Sequence, residues 1–160
     1  MQIRAYNPRD KDQVLMLFNQ FGDYFVQVDD LKRVRRGEHY AQHFFAAMQK
    51  DMEPNGICYV AEAADSLVGF ISGNWHDITM ENSEESMPHR KGRILEFFVR
   101  EEERGKGVGK QLMLKLEEYL RSQGCTAINV EVFAPNESAR EFYEEFGYRP
   151  RNIDMMKLLE

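Results

Sequence analysis

Cysteine is scarce in this chain: Cys58 and Cys125 are the two present among 160 residues, and they lie far apart. That excludes a disulfide-stapled scaffold, and the spacing fits no zinc finger or ribbon. Both read as reduced thiols of a cytoplasmic protein. A long apolar run is missing as well, so no membrane span and no membrane partner are expected. The first residues, MQIRAYNPRD, hold no hydrophobic stretch of the kind that directs secretion. Repeats and low-complexity tracts are absent. Basic charge is in deficit, with 21 Lys and Arg against 27 Asp and Glu and a net charge of −6. Nucleic-acid binding needs a basic face that releases counterions, so no nucleic acid is expected as a partner. The one basic cluster, Lys32-Arg33-Val34-Arg35-Arg36, reads as a solvated helix face or loop.

What is present is a soluble globular balance, 42% hydrophobic and 30% charged. The length predicts a single domain over residues 1–160, large enough to bury a core unaided. Periodicity then orders the chain. Ile3 to Tyr6 is a short strand, and Asn7-Pro8 opens a helix as cap and first helical residue. Val14, Leu15, Phe18 and Phe21 form its apolar stripe, and Gly22 is expected to end it. A second helical region runs from about Asp30 to Met52, interrupted at Gly37; its clearer half carries Ala41, Phe44, Phe45 and Met48.

From Ile57 the period changes to that of strands. ICYVAEA and LVGFISGNW flank Ala64-Asp65-Ser66 as a hairpin, and HDITMENSEESMPHRKG is expected to be an exposed loop. RILEFFV is a strand. The next helix has Val108, Leu112, Leu116 and Leu120 at four-residue steps and ends at Gly124. AINVEVF is a strand. Asn136 caps a helix bearing Ala139, Phe142, Tyr143 and Phe146, which Gly147 stops, and IDMMKLL is expected as a last strand. The order β-α-α-β-β-β-α-β-α-β predicts an α/β fold, a mixed sheet with helices on both faces.

Between the strand RILEFFV and the following helix stands RGKGVGKQLM. It is no P-loop, because position 104 is Arg104 where glycine is needed and position 111 is Gln111 where a hydroxyl is needed. A dinucleotide loop fails at Lys110. The physical setting still suits an anion: a strand ends, glycines strip away side chains, and a helix presents its unpaired amides. Alone, the same glycines could make nothing more than a tight turn.

Arg104-x-x-Gly107-x-Gly109 does not stand alone, since Asn136, Ala139, Phe142-Tyr143 and Gly147-Tyr148 follow about thirty residues on. Together they resemble the GCN5-related N-acetyltransferase (GNAT) family, with Tyr148 where that family has a final Phe. The resemblance spans roughly residues 93–150 and implies a mostly antiparallel sheet of about six to seven strands flanked by helices. It implies an acetyltransferase that moves acetyl from acetyl-CoA to a primary amine by direct transfer, without a metal. The amine would belong to a cationic small molecule or a lysine, and the chain would be a monomer or homodimer. In that frame, backbone groups of Phe97, Phe98 and Val99 would meet the pantetheine arm. Arg104, Gly105, Lys106, Gly107, Val108, Gly109 and Lys110 would wrap the pyrophosphate. Asn136 would reach the cofactor, and Tyr143 would stand beside the sulfur as acid or hydrogen-bond donor to the departing thiolate. Seen alone, without the resemblance, Tyr143 reads first as a core aromatic with a satisfied hydroxyl.

An attacking amine must first lose a proton, so a base is useful. Glu96 interrupts the apolar run ILEFFV, and strict alternation would put it on one face with Ile94 and Phe98. Desolvation there would raise its pKa toward neutrality; an edge-exposed, salt-bridged glutamate is the alternative. His39 and His43 are spaced for a helix face but lack the H-E-x-x-H pattern, so they read as surface histidines. For the acceptor, Tyr24, Phe25, Trp75 and the loop acids Glu81, Glu84 and Glu85 could receive a cation; a solvated acidic loop is the plainer reading. Two further readings remain open: an acyl-CoA-binding sensor or partner module without efficient transfer, and a nucleotide-phosphate binder using the same loop.

Overall fold

Asn7 and Pro8 start the first helical segment as their residue types dictate. Asn7 Oδ1 accepts from Arg9 N–H at 3.0 Å, while the Asp10 carboxylate accepts from Asn7 N–H at 2.7 Å, closing a capping box. The structure, a computed structural model, describes residues 1–81, 84 and 87–159. Its elements are β1 (Gln2–Ala5), α1 (Lys11–Val28), α2 (Tyr40–Met52), β2 (Ile57–Ala63), β3 (Ser66–Ile78), β4 (His89–Val99), α3 (Val108–Ser122), β5 (Ala127–Asn129) and α4 (Glu137–Glu145). Single 3-10 turns, Pro8–Asp10 and Glu101–Glu103, precede α1 and the glycine loop.

The strands form one sheet in the order β1-β2-β3-β4-β5. The first four are antiparallel and β5 runs parallel to β4, as a mixed α/β fold requires. Two cores result. Ile71, Ile94, Leu112, Leu116 and Leu120 fill the layer under α3, and Val14, Phe18, Phe45, Phe70 and Phe98 fill the layer under α1 and α2. None of the described helices is long and apolar enough to cross a membrane. Cys58 is buried, Cys125 partly so, and both are free thiols.

Four sequence expectations are corrected. Gly22 does not stop α1, which continues to Val28. A Cβ at Gly22 would lie 2.6 Å from Tyr40 Cε1, so this glycine serves the close approach of α2 to α1. The second helical region begins at Tyr40; the segment before it is looped around the buried Asp29, whose carboxylate accepts from the backbone N–H groups of Leu31, Arg33 and Val34. The polar loop after Trp75 is shorter than its composition suggests, since His76↔Lys91 and Ile78↔His89 still pair. Arg90 holds Asp77 across the strands at 2.7 and 3.0 Å and lies 3.9 Å above the Trp75 ring, so cross-strand charge replaces hydrophobicity.

The fourth correction concerns strand number, five rather than six or seven. AINVEVF contributes only Ala127–Asn129, and IDMMKLL forms no strand: Ile153, Met155 and Leu159 are more than four-fifths exposed. β-propensity alone does not make a strand, and a three-residue β5 offers little ladder to extend.

Candidate active site

The site begins with an irregularity in β4. Ile71 pairs with Phe97 but Gly73 pairs with Ile94, so Leu95 and Glu96 stand opposite the single residue Ser72. The Ser72 hydroxyl accepts from Glu96 N–H at 3.2 Å and donates toward Glu96 O at 3.5 Å, which pins the bulge. The extra residue resets the strand's alternation. Ile94 faces the α3 core and Phe98 the α1–α2 core, so the shared face expected for Ile94, Glu96 and Phe98 does not form.

Glu96 is half-buried, and its carboxyl is lifted from 4.5 to about 7. Burial is the main cause, the charge of Asp51 adds to it, and Arg93 opposes it. Two phenols feel Glu96 in turn. Tyr40, on α2, is raised to about 12 by burial and then by Glu96, and Tyr143, on α4, is raised well above its ordinary value by the same two causes in the same order. The carboxylate therefore sits within electrostatic reach of helices on both sides. Tyr40 and Asp51 were not anticipated as its neighbours; the residue types gave no signal, because their proximity depends on how α2 crosses the sheet.

Tyr143 is 7% exposed. Its ring stands edge-on to Phe97 at 6.4 Å, Phe142 at 5.7 Å and Tyr148 at 5.6 Å. The structure thus brings Glu96, Phe97 and Tyr143 together. Beside them the sheet opens. β4 pairs with β5 only at Lys91, Gly92 and Arg93, and continues to Val99 paired with β3 alone. The edge from Glu96 to Val99 has no strand beside it on the β5 side. Its groups can pair with an extended, amide-bearing ligand.

At the end of that gap lies the glycine loop. Gly105 (φ 73°) and Gly107 (φ 82°) take left-handed conformations, and a Cβ at either would meet nothing within 4 Å. Gly107 is the N-cap of α3 and has no side chain to cap it. The N–H groups of Val108, Gly109 and Lys110 thus have no intrahelical acceptor, and the dipole of a 15-residue helix adds positive potential there. Val108 is buried as an anchor, and Gly109 lies against the Phe97 ring. Lys110 is exposed, and Lys106, also exposed, pairs with Glu103 at 3.2 Å. This cradle fits a diphosphate, and the adjoining strand edge fits a pantetheine arm.

Arg104 is turned away from the loop. Its Nε donates to Val99 O at 3.1 Å, and its guanidinium lies 4.6 Å from the Tyr24 ring centre and 5.7 Å from that of Phe98. Asn136, 8% exposed, caps α4 by accepting from Ala139 N–H at 3.2 Å and also accepts from Tyr24 O–H at 2.8 Å. Phe25 stacks on Phe133 at 5.8 Å. Tyr24 and Phe25 therefore bind the end of α1 to the segment before α4. One face of the Trp75 ring is covered by Arg90 of the same chain. Glu81 and Glu84 are exposed, and Glu85 lies outside the described residues. His39 and His43 are exposed, and no cluster of three or more His, Cys, Asp or Glu suited to a metal occurs among the described residues.

With this geometry in view, similarity to known proteins is informative. Residues 17–148 match the acetyltransferase (GNAT) family. The chain is 35% identical over 78 residues, 49% of its length and 50% of the relative's, to the uncharacterized N-acetyltransferase YycN of Bacillus subtilis. It is 37% identical over 103 residues, 64% of its length and 58% of the relative's, to the uncharacterized N-acetyltransferase MJ1530 of Methanocaldococcus jannaschii. The matches thus span only half to three-fifths of these relatives. The crystal structure of the F44R mutant of the BH1408 protein from Bacillus halodurans shares the fold along both whole chains, with a TM-score of 0.86 at 21% identity. The splayed strand, the glycine loop and the matched segment agree: this chain belongs to the acetyltransferase (GNAT) family.

Proposed function

We propose that the chain is an N-acetyltransferase that moves an acetyl group from acetyl-CoA to a primary amine by direct transfer. The observation that carries this reading is the side-chain-free glycine loop opening α3 next to the β4 edge that β5 leaves unpaired, with Glu96 raised to about 7 mainly by burial and electrostatically coupled to Tyr143. A carboxylate with that proton affinity can accept a proton from an alkyl ammonium near neutral pH and still release it to water.

Acetyl-CoA supplies an activated acetyl carbonyl and a thiolate leaving group. The chain's own groups do the rest. The free N–H groups of Val108, Gly109 and Lys110, with the open backbone at Gly105 and Gly107, hold the pyrophosphate. The β4 edge at Phe97, Phe98 and Val99 aligns the pantetheine arm. Tyr143, kept protonated by burial and by the charge of Glu96, is the hydrogen-bond donor to the departing sulfur. The aromatic packing around it fixes its position and excludes water.

The amine is a cationic small molecule or a lysine side chain, which the negative potential of Glu96 and Asp51 would attract. The test is release of free thiol from acetyl-CoA over a panel of polyamines, aminoglycosides and lysine peptides. Thiol release that depends on one class of amine supports the reading. Tight CoA binding with no turnover on any amine would select a CoA-binding module without efficient transfer instead.

A further inference from the structure

Tyr24 lies on α1, a helix that the acyl-carrier site as described does not use, yet its side chain touches two residues assigned to that site. Its hydroxyl donates to Asn136 Oδ1 at 2.8 Å and lies 3.2 Å from Ser138 Oγ. Its ring lies under the Arg104 guanidinium, 4.6 Å from ring centre to Cζ. The hydroxyl contacts reach 112 and 114 positions along the sequence.

The chemistry of Asn136 gives the first contact its meaning. A side-chain amide has one accepting oxygen and two donating hydrogens, and it can flip between them. Here Oδ1 is claimed three times, by Ala139 N–H at 3.2 Å, by Tyr24 O–H at 2.8 Å and by Ser138 O–H at 3.2 Å. The cap alone would also fix the oxygen, but a single backbone N–H at 3.2 Å is a longer and weaker restraint than the phenol at 2.8 Å. The shorter bond from Tyr24 locks the orientation and leaves the Nδ2 hydrogens as the group offered to a ligand. The second contact works alike. Held between Tyr24 and Phe98, Arg104 keeps its Nε on Val99 O, which fixes the end of β4 from which the loop departs.

We infer that Tyr24 is a positioning residue for the acyl carrier: through its hydroxyl it orients the Asn136 amide, and through its ring it seats Arg104 against β4. This rests on the acetyl-CoA reading above and adds to it a part for α1. It also reassigns Tyr24, which the sequence suggested as a contact for the acceptor amine.

The experiment is titration of the intact chain with CoA by calorimetry, using Tyr24→Phe, Asn136→Asp and the double variant, with thermal midpoints alongside. Tyr24→Phe keeps the ring under Arg104 and removes only the hydroxyl. Asn136→Asp keeps an oxygen for the cap and for Tyr24 but deletes the Nδ2 donor. Each single variant is expected to weaken CoA binding about five- to tenfold, the size of one oriented hydrogen bond. The double variant should bind no more weakly than Asn136→Asp alone, because Tyr24 acts through the amide. A merely structural tyrosine would lower the thermal midpoint of both backgrounds equally and leave CoA affinity unchanged. Unchanged affinity in Tyr24→Phe, or additive losses in the double variant, overturns the inference while the acetyl-CoA reading stands. Failure of the parent chain to bind CoA at all overturns both.

Discussion

Replacing Glu96 by Gln should make the protein both less active and, above neutral pH, more stable. The carboxyl binds its proton more tightly in the folded chain, at about 7, than in the unfolded chain, at 4.5. The sign follows from proton counting. Between those values the folded state holds a proton that the unfolded state has lost, so stability falls as pH rises through this window and levels off above it. The gap, at about 1.4 kcal/mol per tenfold change in proton affinity, amounts to about 3 kcal/mol, an upper bound because water reaches part of the carboxyl. Glutamine has nearly the same shape and never ionises, so it avoids this cost. The Glu96→Gln variant should therefore melt with the parent near pH 4.5 and about 5–10 °C above it near pH 8. Differential scanning calorimetry across that range measures the difference directly. In parallel, the parent's transfer rate should rise as pH passes through about 7, and the variant should lose that rise along with about 10²- to 10⁴-fold in rate. Coincident melting curves at every pH would refute the claim that Glu96 is held against ionisation, and with it the argument for its role as base.

Tyr143→Phe should lower the transfer rate by about tenfold or more while CoA affinity stays within about twofold, because it removes the hydroxyl and keeps the packing; steady-state kinetics with a CoA titration separates the two. Gly107→Ala should cost about 1–2 kcal/mol in urea unfolding, since a φ of 82° strains any L side chain although no atom blocks it, and CoA binding should weaken as the cradle shifts. Leu116→Ala, at a position with 0% exposure in the core under α3, should cost about 2–5 kcal/mol without selectively altering the pH profile of transfer.

Much of this was legible in the residues. Gly107, Gly124 and Gly147 take left-handed conformations next to helix ends, where their type predicts them, and Asn7 and Asn136 cap as expected. The stripe Val108, Leu112, Leu116 and Leu120 is wholly buried. The failures have physical causes. Gly22 was read as punctuation, but the partner that needs its small size, Tyr40, lies 18 residues on and across a helix interface. His76-Asp77-Ile78 was read as loop because its pairing is ionic, through Arg90, and so leaves no apolar trace. The C-terminal segment shows the reverse: strand-like composition with no ladder to join. At the site, Glu96 drew notice as a charge inside an apolar run, and Tyr143 only through the resemblance. Asp51, Tyr40 and the contacts of Tyr24 did not, because they arise where α1 and α2 cross the sheet, which no local pattern encodes.

The surplus residue opposite Ser72 gives β4 an unusual kind of fragility. Most strand positions tolerate exchange of one side chain at a time, but here the arithmetic of the ladder carries the chemistry. Removing Leu95 or Glu96 would restore one-to-one pairing opposite Ser72 and leave Ile94 and Phe97 on the α3 layer they already face, so the deletion would abolish the bulge without inverting the strand. The fold would survive such a shortening better than the site, because the seat of Glu96 exists only while two residues share one partner.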